Sequence, residues 1–586
     1  MEPGPSRPRR HTAEQACLLF ETTLSESEEE SDIDTPSFSG SESDNQNVQP
    51  PPMKQRRMDP TIDDSRPTDV PDWSEVTSGE TNNNFRFAPP NGSGLQANLT
   101  VDSSPLDCFN VLFTAQVITY MVNSINAYAE HRCALNNPPR RQSLFANWYK
   151  VTVSELYKFF AVIVEMGIDP AISIREYFVS EDSPNYKKWY HNMFARPRFE
   201  ALYHSMLHCA ESAVADSKAK IEPFMNMLLM NFRTAFYPYQ NLALDEMVVG
   251  YQGGWAYKMF NPSKPKKCDI KILGLYDSAT GYVLNLWTYF GEQMSYKPDC
   301  DQDGSQAVKV FETLLEPFSK GHHIFADKCH TSMKLVSALS ANGFYYTGTV
   351  NSNRQGFPPQ LHSNHPSLGE CKWYLTSHKD VDILCAAWWD KKADKPVVIC
   401  STRSSVQMVT QVIRRNTTEK PAVIQSYNEN INGCDRADQQ SGHYGLFSRK
   451  TVKWWKKLFY FMLELCQTNA HVLYSLSHEK RISLLDFKKK LVKGLTKLSV
   501  LTMTDEEKAR EEARHPGRPA VSLPERFVGN KHLVAHSPND RICHYCSKGT
   551  GKRMRTNFFC SGCSTKPHLH PKDCFERYHT DKNFVV

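Results

Sequence analysis

KILGLYDSATGYVLNLWTYF, residues 271–290, is two apolar runs around the tetrad Ser278-Ala279-Thr280-Gly281. Branched and aromatic residues on both sides of a turn read as a hairpin. The chain before it has another texture. PLDCFNVLFTAQVITYMVNSINAYAEH (105–131) sets Phe109, Leu112, Phe113, Val117 and Tyr120 three and four apart, the spacing of an amphipathic helix. In TVSELYKFFAVIVEMGI (152–168), Thr152 and Glu155 fit a capping box before another apolar helix, and RPRFEALYHSMLHCA (196–210) continues the helices. After NLALDEMVV (241–249) strands take over. A helix AVKVFETLLEPF (307–318), a strand HHIFAD (322–327), a helix SMKLVSALSANG (332–343) and a strand FYYTGTV (344–350) alternate as an α/β unit does.

Outward from this unit the composition changes again. Residues 1–104 are rich in Ser, Pro, Asn and acid and too poor in large apolar residues to build a core, so disorder is expected. Within them Lys54, Gln55, Arg56 and Arg57 form a basic cluster that a nuclear import receptor could read, which gives an expectation of nuclear location. Residues 352–424 read as an irregular, polar insertion. YNENINGCDRADQQ then leads into a long helix through WWKKLFYFMLELCQTNAHVLYSL. The expected divisions are a helical part at 105–236, an α/β part at 237–351, the insertion, a returning helical part at 425–500, a linker at 501–540 and a cysteine-rich module at 541–586. The net charge of +5 averages an acidic start against a basic remainder, which suits a polyanionic partner. No apolar run is as long as a membrane span, so a soluble intracellular chain without a membrane partner is expected.

The acids carry the chemistry. Asp245 follows the apolar run Leu242-Ala243-Leu244, and Asp327 ends Ile324-Phe325-Ala326. A carboxylate on a buried strand is costly unless something neutralises it, and a divalent cation does so where several converge. Asp435 and Asp438, three apart, share one face if their stretch is helical. Two strand aspartates and a helical one are the layout of RNase-H-like nucleases, in which two Mg²⁺ ions hold the attacking and leaving oxygens of a phosphodiester. The plain alternative for each Asp is a cap or a turn.

Of 17 cysteines, five fall within residues 543–574. Cys543, Cys546, Cys560, Cys563, His568, His570, Cys574 and His579 supply eight N/S ligands, enough for two structural Zn²⁺ ions in a cross-brace. By shape such a module also fits a PHD-type or RING-type adaptor, but Lys548, Lys552, Arg553 and Arg555 favour DNA. RKTVKWWKK (449–457) interleaves Arg449, Lys450, Lys453, Lys456 and Lys457 with Trp454 and Trp455, a mix that can hold phosphates and stack on bases. One tryptophan is expected in the core and the cations on DNA. Lys258, Lys264, Lys266, Lys267 and Arg354 are further DNA candidates.

LALDEMVVGYQG, NPSKPKK with IKILGLYDSATGY, HIFADKCHTS, TGTVNSNRQGFP, SYNENINGCDRADQQ and RKTVKWWKKL resemble, in this order, the blocks of piggyBac transposases. With the helical start and the cysteine-rich end, the resemblance covers nearly all of residues 105–586. It implies a homodimeric DDD transposase that nicks element ends, forms DNA hairpins with the freed 3′-OH and inserts at TTAA without a scar. It implies an RNase-H-like catalytic domain with an insertion, a flanking all-α dimerisation and DNA-binding domain, and a C-terminal cross-brace zinc finger. Asp245, Asp327 and Asp435 would be its metal aspartates, with Asp438 as helper, and His570 fits the family's spacing to Cys574. A retired transposase that binds DNA without cutting, or a zinc-finger chromatin adaptor, are the alternatives. The chain departs from the family pattern at Lys328, Cys329 and His330 after Asp327, at Cys268 and Asp269, and at Gly254. From Lys328 a loosened Asp327 backbone is expected, from Asp269 a negative charge facing DNA, and from both a slow excision.

Overall fold

The computed structural model describes residues 71–135, 143–206, 217–255, 257–260, 268–291, 294–298, 305–351, 354–363, 365–391, 393–413, 416–445, 451, 453–514, 532–549 and 551–580. The chain divides into two compact units, Met1–Leu498 and Ser499–Val586. No single described helix is long and apolar enough to cross a membrane.

The larger unit is built on a ten-stranded mixed sheet. In chain order its strands are β1 (Ser74–Val76), β2 (Asn241–Gly250), β3 (Met259–Phe260), β4 (Cys268–Asp277), β5 (Val283–Thr288), β6 (His323–Ala326), β7 (Tyr345–Val350), β8 (Cys371–His378), β9 (Val381–Trp388) and β10 (Val397–Ser401). In space they run β1-β8-β9-β10-β7-β6-β2-β4-β3, with β5 also on β4. The quoted hairpin is β4–β5. Its turn closes because Asp277 Oδ2 accepts from Thr280 N and Oγ1 at 2.9 and 2.8 Å, while Gly281 takes a φ of +73° that a side chain would resist. β2–β6 and β6–β7 are parallel. Parallel neighbours need crossovers, which the helices Gln306–Leu315 and Met333–Ala341 supply. β6 and β7 are therefore buried almost throughout. Their buried polar side chains pair with each other: His323 Nε2 meets Thr347 Oγ1 at 2.7 Å, and Thr347 meets Ser401 Oγ at 2.7 Å.

The segment 352–424, expected as an irregular insertion, is not irregular: its described residues are largely strand. β10 pairs antiparallel with β7, and β9 and β8 follow as a meander, so this segment lengthens the sheet instead of interrupting it. Trp373, Leu384, Ala386, Trp388 and Ile399 line its inner face against Val423 and Ile424 of the helix Ala422–Ile431, which makes Trp388 a core residue. Its polar appearance comes from the connecting loops, where period-two alternation is hard to see. A separate hairpin, Met408–Ile413 with Asn416–Pro421, follows.

Disorder to residue 104 is likewise corrected, since residues 71–104 are among those described. β1 caps the sheet edge at β8. The chain then crosses the ends of the strands remote from Asp245 and Asp327: Asn83 Nδ2 donates to Asp382 O and Thr402 O, and Phe85 N donates to Tyr345 Oη. Residues 1–70, with the basic cluster at 54–57, lie outside the described residues.

The helices pack beside the sheet. Pro105–Leu112 starts with a full capping box, Ser104 with Asp107, and meets Ala115–Leu135 at a 66° bend where one helix was expected. At Val153–Ile168, Thr152 caps Glu155 N, and the Glu155 carboxylate takes Arg198 Nε and Nη2 at 2.8 and 2.6 Å. Trp454–Ser477 is buried on nearly every side. It packs on Pro105–Leu112 and Glu222–Ala235, and its Asn469 clasps both backbone groups of Val283 at 2.9 Å. Lys488, from the helix Leu484–Leu501, makes a buried ion pair with Glu464 and donates to Tyr444 O at 3.1 Å.

The smaller unit contains the helix Asp505–Arg514 and the hairpin Val534–Ile542 with Arg555–Cys560. The cysteine-rich module thus begins near His532, ahead of the expected boundary at 541.

Candidate active site and metal-binding groups

Leu244 of β2 faces Ala326 of β6, and Ala326 faces Gly348 of β7. The next residues are Asp245, Asp327 and Thr349. Three neighbouring strands thus present two carboxylates and a hydroxyl at one level. Thr349 Oγ1 donates to Asp327 Oδ1 at 3.0 Å, and Asp245 Oδ1 accepts from Glu246 N at 2.7 Å. Burial, with the carboxylates of Asp327, Glu246 and Asp435 close by, pushes Asp245 up to about 6 from its usual 3.8, even against that N–H.

Asp435 sits in the first turn of the helix Gly433–Gly442, where it is exposed. This helix lies on β2 and β4 because Gly433 has no side chain: a Cβ there would meet Ala243 Cβ, Asp277 O and Ser278 Cα, each at 3.3 Å. Arg436, between the two aspartates, ties the helix to the β4–β5 turn by donating to Ala279 O at 3.1 Å and to Ser278 O. Asp438 is on the same helix, three residues on. Burial, with Asp327, Asp245 and Asp435 near, holds the hydroxyl of Tyr427, from the preceding helix, well above the usual tyrosine value. Thr349, Tyr427 and Arg436 were not singled out in the sequence. The signal for Thr349 was present, since parallel strands ending in Asp327 and TGTV set it beside the carboxylate.

The expected loosening at Lys328 is corrected. β6 stops at Ala326, Lys328 lies exposed in the following turn, and that turn is held by other groups. Arg354 Nε donates to Thr331 O at 3.0 Å and Nη2 to Cys329 O at 3.3 Å, while Thr331 Oγ1 donates to Asp327 O at 3.2 Å. Arg354, a DNA candidate, therefore serves the Asp327 turn. Asp269 is not on a DNA-facing loop either, being buried in β4 opposite Gly250 and Met259.

The tryptophan stretch is also corrected. Trp454 and Trp455 are both buried, and Trp454 stacks on Trp255 with centroids 5.0 Å apart and planes 12° from parallel. Lys456 and Lys457 are buried; Lys456 Nζ donates to His204 O at 2.9 Å and to Tyr203 O at 3.2 Å. Core packing wins here because the first turns of the helix, which carry both tryptophans and both lysines, are covered on all sides. Lys453 stays exposed, 5.6 Å from the Trp455 ring centre. Lys258 turns back to Gly253 O at 3.0 Å. Arg449, Lys450, Lys264, Lys266 and Lys267 lie outside the described residues.

In the smaller unit two groups bring four ligand atoms within 4.8 Å of one another: Cys543, Cys546, His570 and Cys574, and His532, Cys560, Cys563 and His579. Zinc about 2.3 Å from sulfur and about 2.0 Å from nitrogen, at tetrahedral angles, sets S and N ligands about 3.5 Å apart. Cys546 and Cys574 Sγ lie 3.5 and 3.6 Å from His570 Nδ1, Cys560 and Cys563 Sγ both lie 3.5 Å from His532 Nδ1, and Cys563 Sγ lies 3.4 Å from His579 Nε2. These residues can hold zinc. Two of the three non-ligating nitrogens are occupied too, His570 Nε2 on Arg555 O at 3.0 Å and His579 Nδ1 on Phe575 O at 2.7 Å, which fixes those two rings. His568 was expected as a ligand and is in neither group: a backbone bridge to Phe559 sets its ring beside the Phe559 ring. His532 takes the place, on a strand entry eleven residues before the first cysteine. Along the chain the groups alternate, 532 with 560, 563 and 579 enclosing and crossing 543, 546, 570 and 574.

A family profile described as Transposase IS4 matches residues 104–471. Human PiggyBac transposable element-derived protein 3 is 24% identical over 580 residues, covering 95% of this chain and 88% of its own length. Human PiggyBac transposable element-derived protein 2 is 23% identical over 499 residues, covering 81% of this chain and 76% of its own. A cryo-EM structure of piggyBac transposase in a synaptic complex with hairpin DNA superposes with a TM-score of 0.60 at 21% identity, across 82% of this chain and 98% of that one. With a profile match over more than half of its length and relatives along nearly all of it, the chain belongs to the Transposase IS4 family, in its piggyBac branch.

Proposed function

We propose that this chain is a DNA transposase of the DDD type, whose catalytic domain is RNase-H-like. The central strand order β5-β4-β2-β6-β7, with the Asp435 helix laid across it, supports that fold reading. The observation that carries the function is the side-by-side position of Asp245 and Asp327 on neighbouring parallel strands beneath the helix bearing Asp435. Two Mg²⁺ ions held by these three carboxylates would supply an activated attacking oxygen and a stabilised leaving oxygen at a phosphodiester. The protein's own part is to hold the ligands. Arg436 and Gly433 fix the Asp435 helix, Arg354 fixes the turn after Asp327, and Asp438 assists from the third residue on. DNA ends with a TTAA target are the substrate, the working form is a homodimer in the nucleus, and import through residues 54–57 is part of the same reading. The two zinc ions are structural and stabilise the end-recognising C-terminal module.

Purified full-length protein with Mg²⁺ and duplexes carrying the inverted repeats that flank its own coding sequence should nick and then form hairpins. Asp245→Asn, Asp327→Asn and Asp435→Asn should each remove the products and leave DNA binding intact, with Asp438→Asn milder. Normal cutting by all three variants would sink the assignment. A second reading, DNA binding without cleavage, draws on the names of the human relatives, which are called element-derived proteins. Binding without any nick in the unaltered protein would favour it.

A further inference from the structure

The helix bearing Asp435 is seated at its first turn by Gly433 and Arg436. Its other end is held by a buried charge that the metal site does not use. The helix Gly433–Gly442 closes at His443, whose N–H donates to Gln440 O, and the next residue, Tyr444, takes a φ of +60°. A side chain resists this left-handed conformation, so the turn persists only where its neighbours hold it. Lys488 is such a neighbour. Its Nζ donates to Tyr444 O at 3.1 Å and to His443 O at 3.4 Å.

Lys488 has none of its side chain exposed, and Glu464, its ion-pair partner from the helix Trp454–Ser477, only 4%. An ammonium group has three N–H donors, and the Glu464 carboxylate with the two carbonyls offers one acceptor for each. An ammonium this deep needs a counter-charge, which Glu464 supplies. It also stands at the negative end of the Asp435 helix, where a cation is favoured. A buried ion pair can often be exchanged for uncharged side chains of similar volume without loss of stability. What the charge holds here is therefore read from the two carbonyls, and both belong to the turn that ends the Asp435 helix. One end of that helix is thus fixed to the sheet and the other to the helical part of the protein.

We infer that Lys488 is a positioning residue for the metal site: with Glu464 as its counter-ion, it fastens the last turn of the Asp435 helix and so sets the tilt at which Asp435 meets the ions. The inference rests on the proposed two-ion reading of Asp245, Asp327 and Asp435. A helix of ten residues is about 15 Å long. Freed at its last turn it can pivot on the Gly433 seat, and a carboxylate moved by a fraction of an ångström binds its ion less well.

The test compares the unaltered, zinc-loaded full-length protein with a double variant, Lys488→Met with Glu464→Gln, which nearly keeps both shapes and removes both charges together. Amide hydrogen exchange is followed by mass spectrometry. Mn²⁺ binding is followed by loss of the free-ion electron paramagnetic resonance signal, with Asp435→Asn as control. In the double variant, exchange across residues 433–444 should rise about tenfold, while exchange in Trp454–Ser477 and the melting temperature change little. The Asp435-dependent Mn²⁺ binding should weaken about tenfold. Unchanged exchange across 433–444 would overturn the inference, and so would faster exchange with Mn²⁺ affinity equal to that of the unaltered protein; either result leaves the metal site standing. If the double variant fails to fold, Lys488→Met alone decides by the same two readouts, because Glu464 can then take up a proton and stay neutral. Absence of any Asp435-dependent Mn²⁺ binding in the unaltered protein would remove the two-ion reading and the inference together.

Discussion

Asp245→Asn should make the ion-free protein more stable at neutral pH while ending its chemistry. Asp245 titrates near 6 in the fold against 3.8 ordinarily. The folded state therefore binds a proton more tightly than the unfolded chain does. Between those two values the folded form holds more protons, so stability falls as pH rises through that window. Below about 3.8 the penalty is nearly absent, and above about 6 it is complete. A gap of about 2 units corresponds to about 3 kcal/mol at pH 7 and roughly half of that at pH 5. Asparagine keeps the shape, never ionises and escapes the penalty. For a unit this large the gain corresponds to a melting-temperature rise on the order of 5 °C. The assay is calorimetry of the unaltered and Asp245→Asn proteins, zinc-loaded and without added Mg²⁺, at pH 7.5 and pH 5. The gap between them should shrink at the lower pH. In the unaltered protein alone, Mg²⁺ should then recover the lost stability at pH 7.5, because an ion offsets the carboxylate's burial. A variant no more stable than the unaltered protein at pH 7.5, or a gap that widens at pH 5, would refute the reasoning.

Three further outcomes are expected. Gly433→Ala adds a methyl with three neighbours at 3.3 Å, which should lift the Asp435 helix by a few tenths of an ångström and cut nicking about tenfold with DNA binding retained; undiminished nicking would mean that the seating does not matter. Native mass spectrometry of His532→Ala should show one zinc fewer than the unaltered protein, and His568→Ala should show no loss; the reverse pattern would reassign the second group. Lys328→Asn should leave excision unchanged, whereas Asp269→Gly should lower the melting temperature by loosening a buried strand position, at a cost of about 1 kcal/mol or more; a large rise in excision from Lys328→Asn would restore the importance of that departure.

Much of the fold could be read from alternation. The hairpin at 271–290, the crossover helices and the strands ending in Asp327 and Val350 all have apolar periods matching their observed shape, because helices cover them on known faces. Strands β8–β10 were missed since their loops dominate the local composition, and only the tertiary pairing with β7 shows that they belong to the sheet. At the site, Asp245 and Asp327 could be found because a charge after an apolar run is costly unless used. Tyr427 could not, as a tyrosine is not unusual in its setting, whereas Thr349 was within reach once the strands ending in Asp327 and Val350 are set side by side. The error at Trp454, Trp455, Lys456 and Lys457 has a general cause: a basic aromatic stretch looks like a nucleic-acid surface until one knows that its part of the helix is buried all round. A buried lysine is affordable there because the carbonyls of Tyr203 and His204 meet its ammonium group.

The crossing segment near residue 83 sets a timetable for the birth of the molecule. Asn83 leaves the ribosome early, yet one of its partners, Thr402, follows 319 residues later. At about 5–20 residues per second, the beginning of the chain waits on the order of 15–60 s for its place. During that wait β1 has no β8 to join, and a nascent chain halted anywhere before β8 must keep its early residues apart from other chains. A ribosome stalled between the codons for Asn83 and Thr402 should therefore yield a product prone to edge pairing, and the vulnerable period ends only when the sheet's last strand emerges.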